Sequence, residues 1–349
     1  MKMRKTLSSK FIITGCLFVL LACKTSEPNS QTTNLPAWVS NPGSSYSENQ
    51  YLMAVGSGST MNDARSRAMQ NLAQIFRTQI DGSQELFSEF VEISRNNEGF
   101  SSTETMRLMN NVRLGASEEL LNTEVLESHI DRTGTVYVLA GMNRMESARL
   151  YQQELTINTQ KIQNYQLQGS QQSSVIRKLG ELRQALLLAR VNENLSRQLA
   201  IIQPGSSNRE QATQVVLDTE NAFRDVQGIA NVQIRIDETF GTIRDGVAKV
   251  FQQQGFSIST NKNPELLATV EYKQRETNLK RDDAVFVAWE LSIQLSEVNT
   301  NQTYTTFTAL GREGALTLSD AYKRAEFSAA KEIETKFKRF LTVELTVQD

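Results

Sequence analysis

The stretch YLMAVGSGSTMNDARSRA, residues 51–68, predicts a strand, a turn and a helix in succession. Residues 51–55 form a short apolar run that is typical of a strand, and the glycine- and serine-rich residues 56–60 are expected to end it. Asn62 and Asp63 are favourable N-cap residues, so the helix is expected to begin near them. This helix should pack closely on a sheet, which predicts an α+β fold, because small and apolar side chains recur every three to four positions, at Ala64, Ala68, Leu72 and Ile75.

Residues 86–142 are expected to complete this first α+β unit. The spacing of Leu86, Phe87, Phe90 and Ile93 is that of one face of an amphipathic helix, and a short helix is expected around residues 106–112. Two strands, at 120–130 and 135–142, flank the tetrapeptide Asp131-Arg132-Thr133-Gly134, which is typical of a hairpin turn. We place the first domain at residues 36–144.

Residues 145–205 have helical periodicity and are rich in glutamine and asparagine. The polar stretch GSQQSS, residues 169–174, separates two runs of apolar residues at helical spacing. Two helices joined by so short a turn fold back on each other as an antiparallel hairpin. The dipeptide Pro204-Gly205 is expected to end this connector.

Residues 206–349 predict a second α+β domain. The clearest strand is VFVAWELSIQLS, residues 285–296, in which apolar and polar side chains alternate. This alternation predicts an antiparallel sheet with one covered face, and a long helix over 319–341 is expected to cover it. The remaining elements are expected as helices at 211–226 and 242–254 and strands at 232–236, 266–272 and 304–311. The fold class is therefore α+β, with two helix-on-antiparallel-sheet domains joined by an antiparallel helical hairpin.

One motif occurs in both predicted α+β units. Asp63-Ala64-x-x-Arg67-Ala68-x4-Ala73 is matched by Asp320-Ala321-x-x-Arg324-Ala325-x4-Ala330, and each copy follows a glycine-containing turn after an apolar strand. Two explanations stay open: a shared origin or shared helix-on-sheet packing, and chance similarity between helices in which alanine and arginine are common.

The N-terminal residues 1–26 predict a lipoprotein export signal. Lys2, Arg4, Lys5 and Lys10 form a positive region, and the apolar run 11–22 is too short to span a bilayer comfortably. Leu20-Leu21-Ala22-Cys23 resembles the lipobox of lipoprotein precursors, which implies cleavage before Cys23 and a diacylglycerol on its thiol. The segment that ends in Cys16 imitates this box, but too few apolar residues precede it. An ordinary secretory signal or a short membrane anchor is the alternative.

From this signal we expect the protein to be anchored in the outer membrane, on the side that faces the periplasm. We expect a signal peptide at residues 1–22 and a flexible polar tether at 23–35. Lys24 stands after the acylated residue, whereas an aspartate there would favour inner-membrane retention. No later apolar run is long enough to span a bilayer, so the lipid is expected to be the membrane partner.

Composition excludes several classes of function. Of the 37 basic side chains, four precede Cys23, which leaves 33 against 39 acidic ones, and this mildly acidic balance argues against nucleic acid as a partner. Both cysteines lie in residues 1–23, so the fold is expected to depend on core packing and not on disulfides. His129 is the only histidine, which disfavours zinc sites and histidine-dependent triads.

Three patterns resemble catalytic or binding sites, and each has a structural alternative that we favour. Residues 56–60, between a strand and a helix, resemble half of a dinucleotide-binding turn, but Met61 replaces the third glycine. Glu85, Glu89 and Glu92 share a helical face and could act as paired carboxylates or a cation site, although a solvated face gives the same spacing. His129 beside Asp131 could be a base, but no nucleophile accompanies it. We therefore expect no catalytic residue, no cofactor and no metal.

Trp38 is the candidate for a partner contact. It lies between Pro36 and Pro42, just beyond the tether. Its indole could present an aromatic surface to a partner or pack on the core, and packing is favoured.

The N-terminal domain resembles the Lpp-twenty family of envelope lipoproteins over residues 36–150. The resemblance rests on PAWV at 36–39 with Asn41-Pro42, YLMAVG at 51–56, the helix with Ala64, Ala68 and Ala73, and VYVLA at 136–140. It implies a small α+β domain tethered to the outer membrane, without catalytic residues, and the family includes components of sheathed flagella. The order of elements in the C-terminal domain is similar to that of curli-secretion lipoproteins.

Together these features predict a non-enzymatic, lipid-anchored envelope protein with a structural or assembly role in a periplasmic or outer-membrane complex. A flagellar structure is one such complex. Its expected partners are the membrane and other envelope proteins, and homo-oligomerisation stays open. The alternatives are a periplasmic binding module that regulates a peptidoglycan enzyme or a secretion machine, and a carboxylate-dependent hydrolase of the cell wall.

Overall fold

The computed structural model describes residues 35–76, 85–96, 103–116, 119–206, 209–260, 264–281, 284–299 and 302–346. Residues Pro36–Asp349 form one compact unit. The predicted signal peptide and nearly all of the predicted tether lie outside the described residues. The structure confirms the predicted α+β class.

The first part of the chain supplies a three-stranded antiparallel sheet and its covering helices. The elements are α1 (Ala37–Ser40), a 3-10 turn (Pro42–Ser44), β1 (Tyr51–Gly58), α2 (Met61–Gln74), α3 (Glu85–Asn96), α4 (Thr103–Gly115), β2 (Thr123–Ile130) and β3 (Val136–Asn143). Strand β3 is central and pairs with β1 on one side and β2 on the other, in the order β1-β3-β2.

The predicted hairpin turn between β2 and β3 is confirmed. The Asp131 carboxylate accepts hydrogen bonds from the backbone N–H groups of Thr133 at 2.8 Å and Thr135 at 2.9 Å. Gly134 has φ of +85°, a conformation that glycine adopts without a steric penalty. These hydrogen bonds to the ionised carboxylate lower the pKa of Asp131, the largest contribution being the hydroxyl of Thr133.

Strand β1 is longer than predicted, because its glycines do not end it. A Cβ on Gly56 would lie 2.5 Å from the carbonyl oxygen of Ala64, and one on Gly58 would lie 2.7 Å from the backbone nitrogen of that residue. Both glycines therefore allow α2 to lie directly on the strand. The helix also begins earlier than predicted: Thr60 is the N-cap, and its hydroxyl oxygen accepts from the N–H of Asp63.

The predicted helical hairpin is confirmed, with α5 (Arg144–Gln171) and α6 (Val175–Ile202) joined by three residues. A third helix, α7 (Arg209–Ile229), also packs on α6. Nineteen of the 28 residues of α6 are buried, because α3, α4, α5 and α7 all contact it. A helix that is covered on nearly all sides is the centre of a packed layer and not an exposed spacer.

The described residues 231–315 contain β4 (Asn231–Arg235), α8 (Gly241–Gln253), β5 (Ser257–Ile258), β6 (Leu266–Arg281), β7 (Ala284–Glu297) and β8 (Gln302–Ala315). Their strands form a second, five-stranded sheet in the order β5-β4-β6-β7-β8. Strands β6, β7 and β8 are antiparallel, as predicted, but β4 pairs in parallel with both β5 and β6, so the sheet is mixed. Helix α8 carries the chain from β4 to β5, and a crossover of this kind gives parallel pairing.

The C-terminal helix that was predicted as one element has three segments. They are α9 (Leu318–Glu332), a π-helical turn (Ile333–Phe337) and α10 (Lys338–Glu344). The wider turn keeps Ile333, Phe337 and Leu341 buried in the cluster under the five-stranded sheet while the helix changes its winding.

The buried apolar side chains form two clusters, and α6 contributes to both. Its N-terminal residues Ile176, Leu179 and Leu182 belong to the cluster under the five-stranded sheet. Leu187 and Leu195 and their neighbours belong to the cluster under the three-stranded sheet. The division of the chain at residues 144 and 205 stays a prediction.

The two copies of the repeated motif have the same local structure. Thr60 and Thr317 both cap their helices, and each hydroxyl donates to the carboxylate of Asp63 or Asp320 at 2.8 Å. Arg67 Nη1 donates to the carbonyl of Ser57 at 3.1 Å, and Arg324 Nη1 donates to that of Gly314 at 2.9 Å, in each case ten residues earlier. The order β1-β3-β2 corresponds to β8-β7-β6, but the antiparallel hairpin follows the strand–helix pair in the first unit and precedes it in the second.

Candidate functional site

A cleft of about 220 Å³ lies where α3, α6, α7, the end of α8 and α10 meet. The all-round burial of α6 brings the other helices together over its central turns. Its lining combines apolar and charged side chains. The apolar side chains are Leu86, Phe87, Leu186, Leu187 and Phe223, and the charged ones are Glu89, Arg183, Arg190, Glu220, Arg224 and Lys338.

Arg183 is the most deeply buried charge of this cleft, with 5% of its surface exposed. Its Nη2 donates to Oε1 of Gln254 at 2.7 Å, whereas its buried Nε has no hydrogen-bond partner among the described residues. Burial lowers the pKa of the guanidinium to about 10, and the nearby Glu89 opposes this shift. No carboxylate among the described residues lies within ion-pair distance of Arg183, so the group is a buried cation with a neutral partner.

A chain of hydrogen bonds holds Gln254 in this orientation. Its Nε2 donates to the hydroxyl of Thr342 at 2.9 Å, and the single proton of that hydroxyl is shared between Oε1 of Glu89 at 2.9 Å and the backbone carbonyl of Lys338 at 3.0 Å. Lys338 Nζ lies 3.9 Å from the same Glu89 oxygen. Since the amide nitrogen is engaged by Thr342, the amide oxygen points to Arg183. The hydrogen-bonded path from Glu89 to Arg183 therefore runs through two side chains, and Glu89 acts on the guanidinium directly only through its charge.

The other two arginines of the cleft have carboxylate partners. Arg190 Nη2 lies 2.9 Å from Glu220 and its Nη1 lies 3.4 Å from Glu193. Arg224 forms a close ion pair with Glu220. Among the described residues, four cationic side chains and two carboxylates line the cleft. Arg183 is the cation of this set that has no carboxylate within ion-pair distance, so the cleft can hold an anion.

The predicted lipid-attachment residue, Cys23, lies outside the described residues. Trp38 is 5% exposed, in a short helix that contacts β3. Its burial agrees with the packing role, and a contact between Trp38 and a partner stays a prediction.

The turn-like residues 56–60 do not form an open phosphate cradle. Gly56 and Gly58 are part of β1, where their backbone pairs with β3 and is covered by α2. Only Ser59 and Thr60 separate the strand from the helix, so the strand-to-helix turn is tight and shorter than residues 56–60.

The two glutamates of α3 whose side chains are described, Glu89 and Glu92, differ in their surroundings. The side chain of Glu85 lies outside the described residues, and Glu92 is exposed. Glu89 is only 21% exposed and faces the cleft, where it accepts from Thr342. The expectation of a fully solvated acidic face is therefore wrong for Glu89.

His129 is half-buried in β2, opposite Tyr137. Its neighbour Asp131 uses Oδ1 to accept the hydrogen bonds of the hairpin turn. In the described part of the chain, no group of three or more histidine, cysteine, aspartate or glutamate side chains could hold a metal ion.

None of the helices in the described ranges is long and apolar enough to cross a membrane.

The sequence analysis missed Arg183 and Gln254 as site residues. One signal was present: Arg183 lies among Leu179, Leu182 and Leu186, so a charge interrupts an apolar helix face. Its partners come from α3, the end of α8 and α10, which are distant in sequence, and no local pattern brings them together.

No protein-family model matches the chain, and no curated protein matches it. Among solved structures, a minor lipoprotein from Acinetobacter baumannii is 11% identical and covers 34% of this chain and 90% of its own, with a TM-score of 0.26. A secreted protein from Helicobacter pylori is 12% identical, covers 84% and 98%, and has a TM-score of 0.40. A protein from Caulobacter crescentus described as a lipoprotein is 9% identical, covers 35% and 93%, and has a TM-score of 0.27. All three scores are below 0.5, so these similarities carry no argument about function.

Proposed function

We propose that this chain is a lipid-anchored protein of the bacterial cell envelope, on the outer membrane and facing the periplasm, with a non-enzymatic structural or assembly role. The observation that carries the proposal is the sequence Leu20-Leu21-Ala22-Cys23 at the end of an apolar run preceded by four basic residues. Acylation of Cys23 would add hydrocarbon that partitions into the membrane at about 0.8 kcal/mol per buried CH₂ group. The resemblance of residues 36–150 to the Lpp-twenty family supports the same assignment.

Metabolic labelling with palmitate, followed by fractionation of membranes, tests the anchor. Cys23→Ser should abolish the label and either leave an unprocessed precursor or release the protein into the soluble periplasm. Cys16→Ser is the matched control, because Cys16 lies in the same apolar run, and this variant should label and fractionate as the wild type does. Continued labelling of Cys23→Ser would contradict the anchor.

Cross-linking of the natively lipidated protein in cells tests the assembly role. A discrete large adduct, either homo-oligomeric or with a fixed partner, is the expected result. Monomer alone, under conditions that cross-link a known envelope complex, would contradict it.

The second candidate function is a periplasmic binding module that regulates a peptidoglycan enzyme or a secretion machine. The observation that favours it is the cleft with the unpaired Arg183 guanidinium. Pockets of this kind, apolar with a few convergent polar groups, are typical of ligand sites.

A further inference from the structure

We propose that the Arg183 cleft binds the carboxylate of a partly apolar ligand. This inference is independent of acylation at Cys23, so each can fail without the other. The carboxylate could belong to a free organic acid or to the C-terminal residue of a partner polypeptide, and the two sources share the same chemistry.

The first argument is the energetic state of Arg183. A charge removed from water without a counter-ion is strongly unfavourable, and native proteins pair such groups or leave them at the surface. Arg183 is 5% exposed, has one neutral hydrogen-bond partner, and has an unpartnered Nε. Elsewhere in this cleft Arg190 and Arg224 are paired with carboxylates, which shows the arrangement that Arg183 lacks. An incoming carboxylate would supply the missing partner.

The second argument is the orientation of the neighbouring groups. Glu89 is the closest carboxylate in the hydrogen-bonded chain, but the hydroxyl of Thr342 and the proximity of Lys338 engage it. Gln254 contributes an oxygen that positions one end of the guanidinium and adds no charge. The hydrogen bond to Gln254 therefore fixes the orientation of the other N–H donors of Arg183. No carboxylate at ion-pair distance among the described residues neutralises the positive charge of the guanidinium.

The third argument is the shape and the lining of the cleft. Its volume of about 220 Å³ is below the range of about 300–1,000 Å³ that is usual for drug-sized ligands. The apolar side chains on α3, α6 and α7, such as Phe87, Leu187 and Phe223, give a surface for a hydrocarbon group. A phosphate ion has no apolar part to cover this wall, so a small amphiphilic carboxylate fits the lining better.

Thermal-shift and calorimetric titrations of the full-length protein in detergent test the proposal. The probes are hexanoate, its neutral amide, acetate, inorganic phosphate, and a short peptide that ends in leucine with either a free or an amidated C-terminus. Hexanoate should raise Tm and bind, whereas hexanamide, acetate and phosphate should have little effect. A shift with the free peptide and not with its amide would identify a polypeptide terminus as the source, and a shift with hexanoate alone would identify a free acid.

Arg183→Met removes the charge and keeps an unbranched apolar side chain. We expect it to abolish the hexanoate-dependent shift and to weaken binding at least about tenfold, since hydrogen bonds to charged groups are the strong ones. Without ligand its Tm should equal or exceed that of the wild type, because an unpaired buried charge has been removed. Arg149→Met is the matched control: Arg149 is exposed, pairs with Glu146 on α5 and should leave binding unchanged.

Three results would overturn the proposal: no shift with any carboxylate, a shift with phosphate equal to that with hexanoate, or full hexanoate binding by Arg183→Met. If Arg183→Met does not fold, Arg183→Lys decides the matter, because it keeps the charge but has fewer donors. Binding to Arg183→Lys should be weakened about tenfold, and unchanged affinity would count against the site.

Discussion

Gly56 lies so close to helix α2 that a Cβ in its place would be 2.7 Å from the Cα of Ala68. Both residues belong to rigid backbone, one in a paired strand and the other in a helix, so neither can move alone. In the cluster under the three-stranded sheet, the strand and helix backbones are therefore in direct contact. The small residues at these positions make that contact possible.

Gly56→Ala should destabilise the protein by about 3 kcal/mol, the upper end of the usual cost of overpacking, because the added methyl group meets backbone and not a flexible side chain. Differential scanning calorimetry would measure the fall in Tm. Gly228→Ala is the matched control, since nothing lies within 4 Å of a Cβ at that position in α7. That control should raise stability by about 0.5–1 kcal/mol through helix propensity. Equal effects of the two substitutions would show that the close packing is not important.

The two helix caps should make similar contributions to stability. Thr60→Ala and Thr317→Ala each remove a hydroxyl that accepts from a backbone N–H and donates to an aspartate. Each should cost about 1 kcal/mol, whereas Thr60→Ser and Thr317→Ser should cost much less because they keep the hydroxyl. Urea unfolding curves of the four variants would test this. A large loss for one alanine variant only would indicate that the two strand–helix pairs are not equivalent.

Glu181→Gln should stabilise the protein at neutral pH. One carboxylate oxygen of Glu181 is buried without a hydrogen-bond partner among the described residues, and desolvation raises the pKa of this group above 4.5. The folded state then holds its proton more tightly than the unfolded state, so this group destabilises the fold as pH rises through that range. Thermal melts should show a small gain for Glu181→Gln at pH 7 that disappears below about pH 4.

The exposed Glu238 gives the control for the Glu181 experiment. Glu238→Gln removes the same charge at the surface and should change Tm little at either pH. A gain for Glu181→Gln that persists at acidic pH would mean that the carboxylate charge is not the cause.

Trp38→Ala should lower the free energy of unfolding by about 3 kcal/mol, because it removes a large buried side chain. Trp289→Ala, in the cluster under the five-stranded sheet, provides a reference for a tryptophan that is buried to the same degree. Unchanged stability of Trp38→Ala, together with loss of a cross-linked complex, would favour a partner contact over packing.

Much of the fold was predictable because its signals are local. The helical periodicity of α5 and α6, the alternation along β7 and the turn residues 131–134 each specify one element without help from distant residues. The predicted end of β1 was wrong because the length of this strand depends on a contact with another element. Gly56 and Gly58 are of a residue type that often ends a strand, yet both lie within β1. Helix α2 packs so close to them that a side chain at either position would meet its backbone. The parallel pairing of β4 could not be predicted from the local sequence either, since it depends on a crossover through α8.

The cleft was less predictable than the fold. Arg183 is placed by α6, Gln254 by the end of α8, Glu89 by α3 and Thr342 by α10, and the sequence separations between these residues are large. Their meeting depends on how four helices surround a fifth. The charge within the apolar face of α6 was the single local indication of the site.

The different chain order of the two similar sheets bears on the order of folding. Strands β6, β7 and β8 follow one another, so their sheet can form from hairpins by local contacts, which is a fast process. In the first sheet Tyr51 pairs with Asn143, and the α6 residues of its core, such as Leu199, lie further along the chain. The apolar strand β1 and its helix are therefore expected to be covered later in folding than the second sheet, and until then they are the part of the chain most exposed to aggregation.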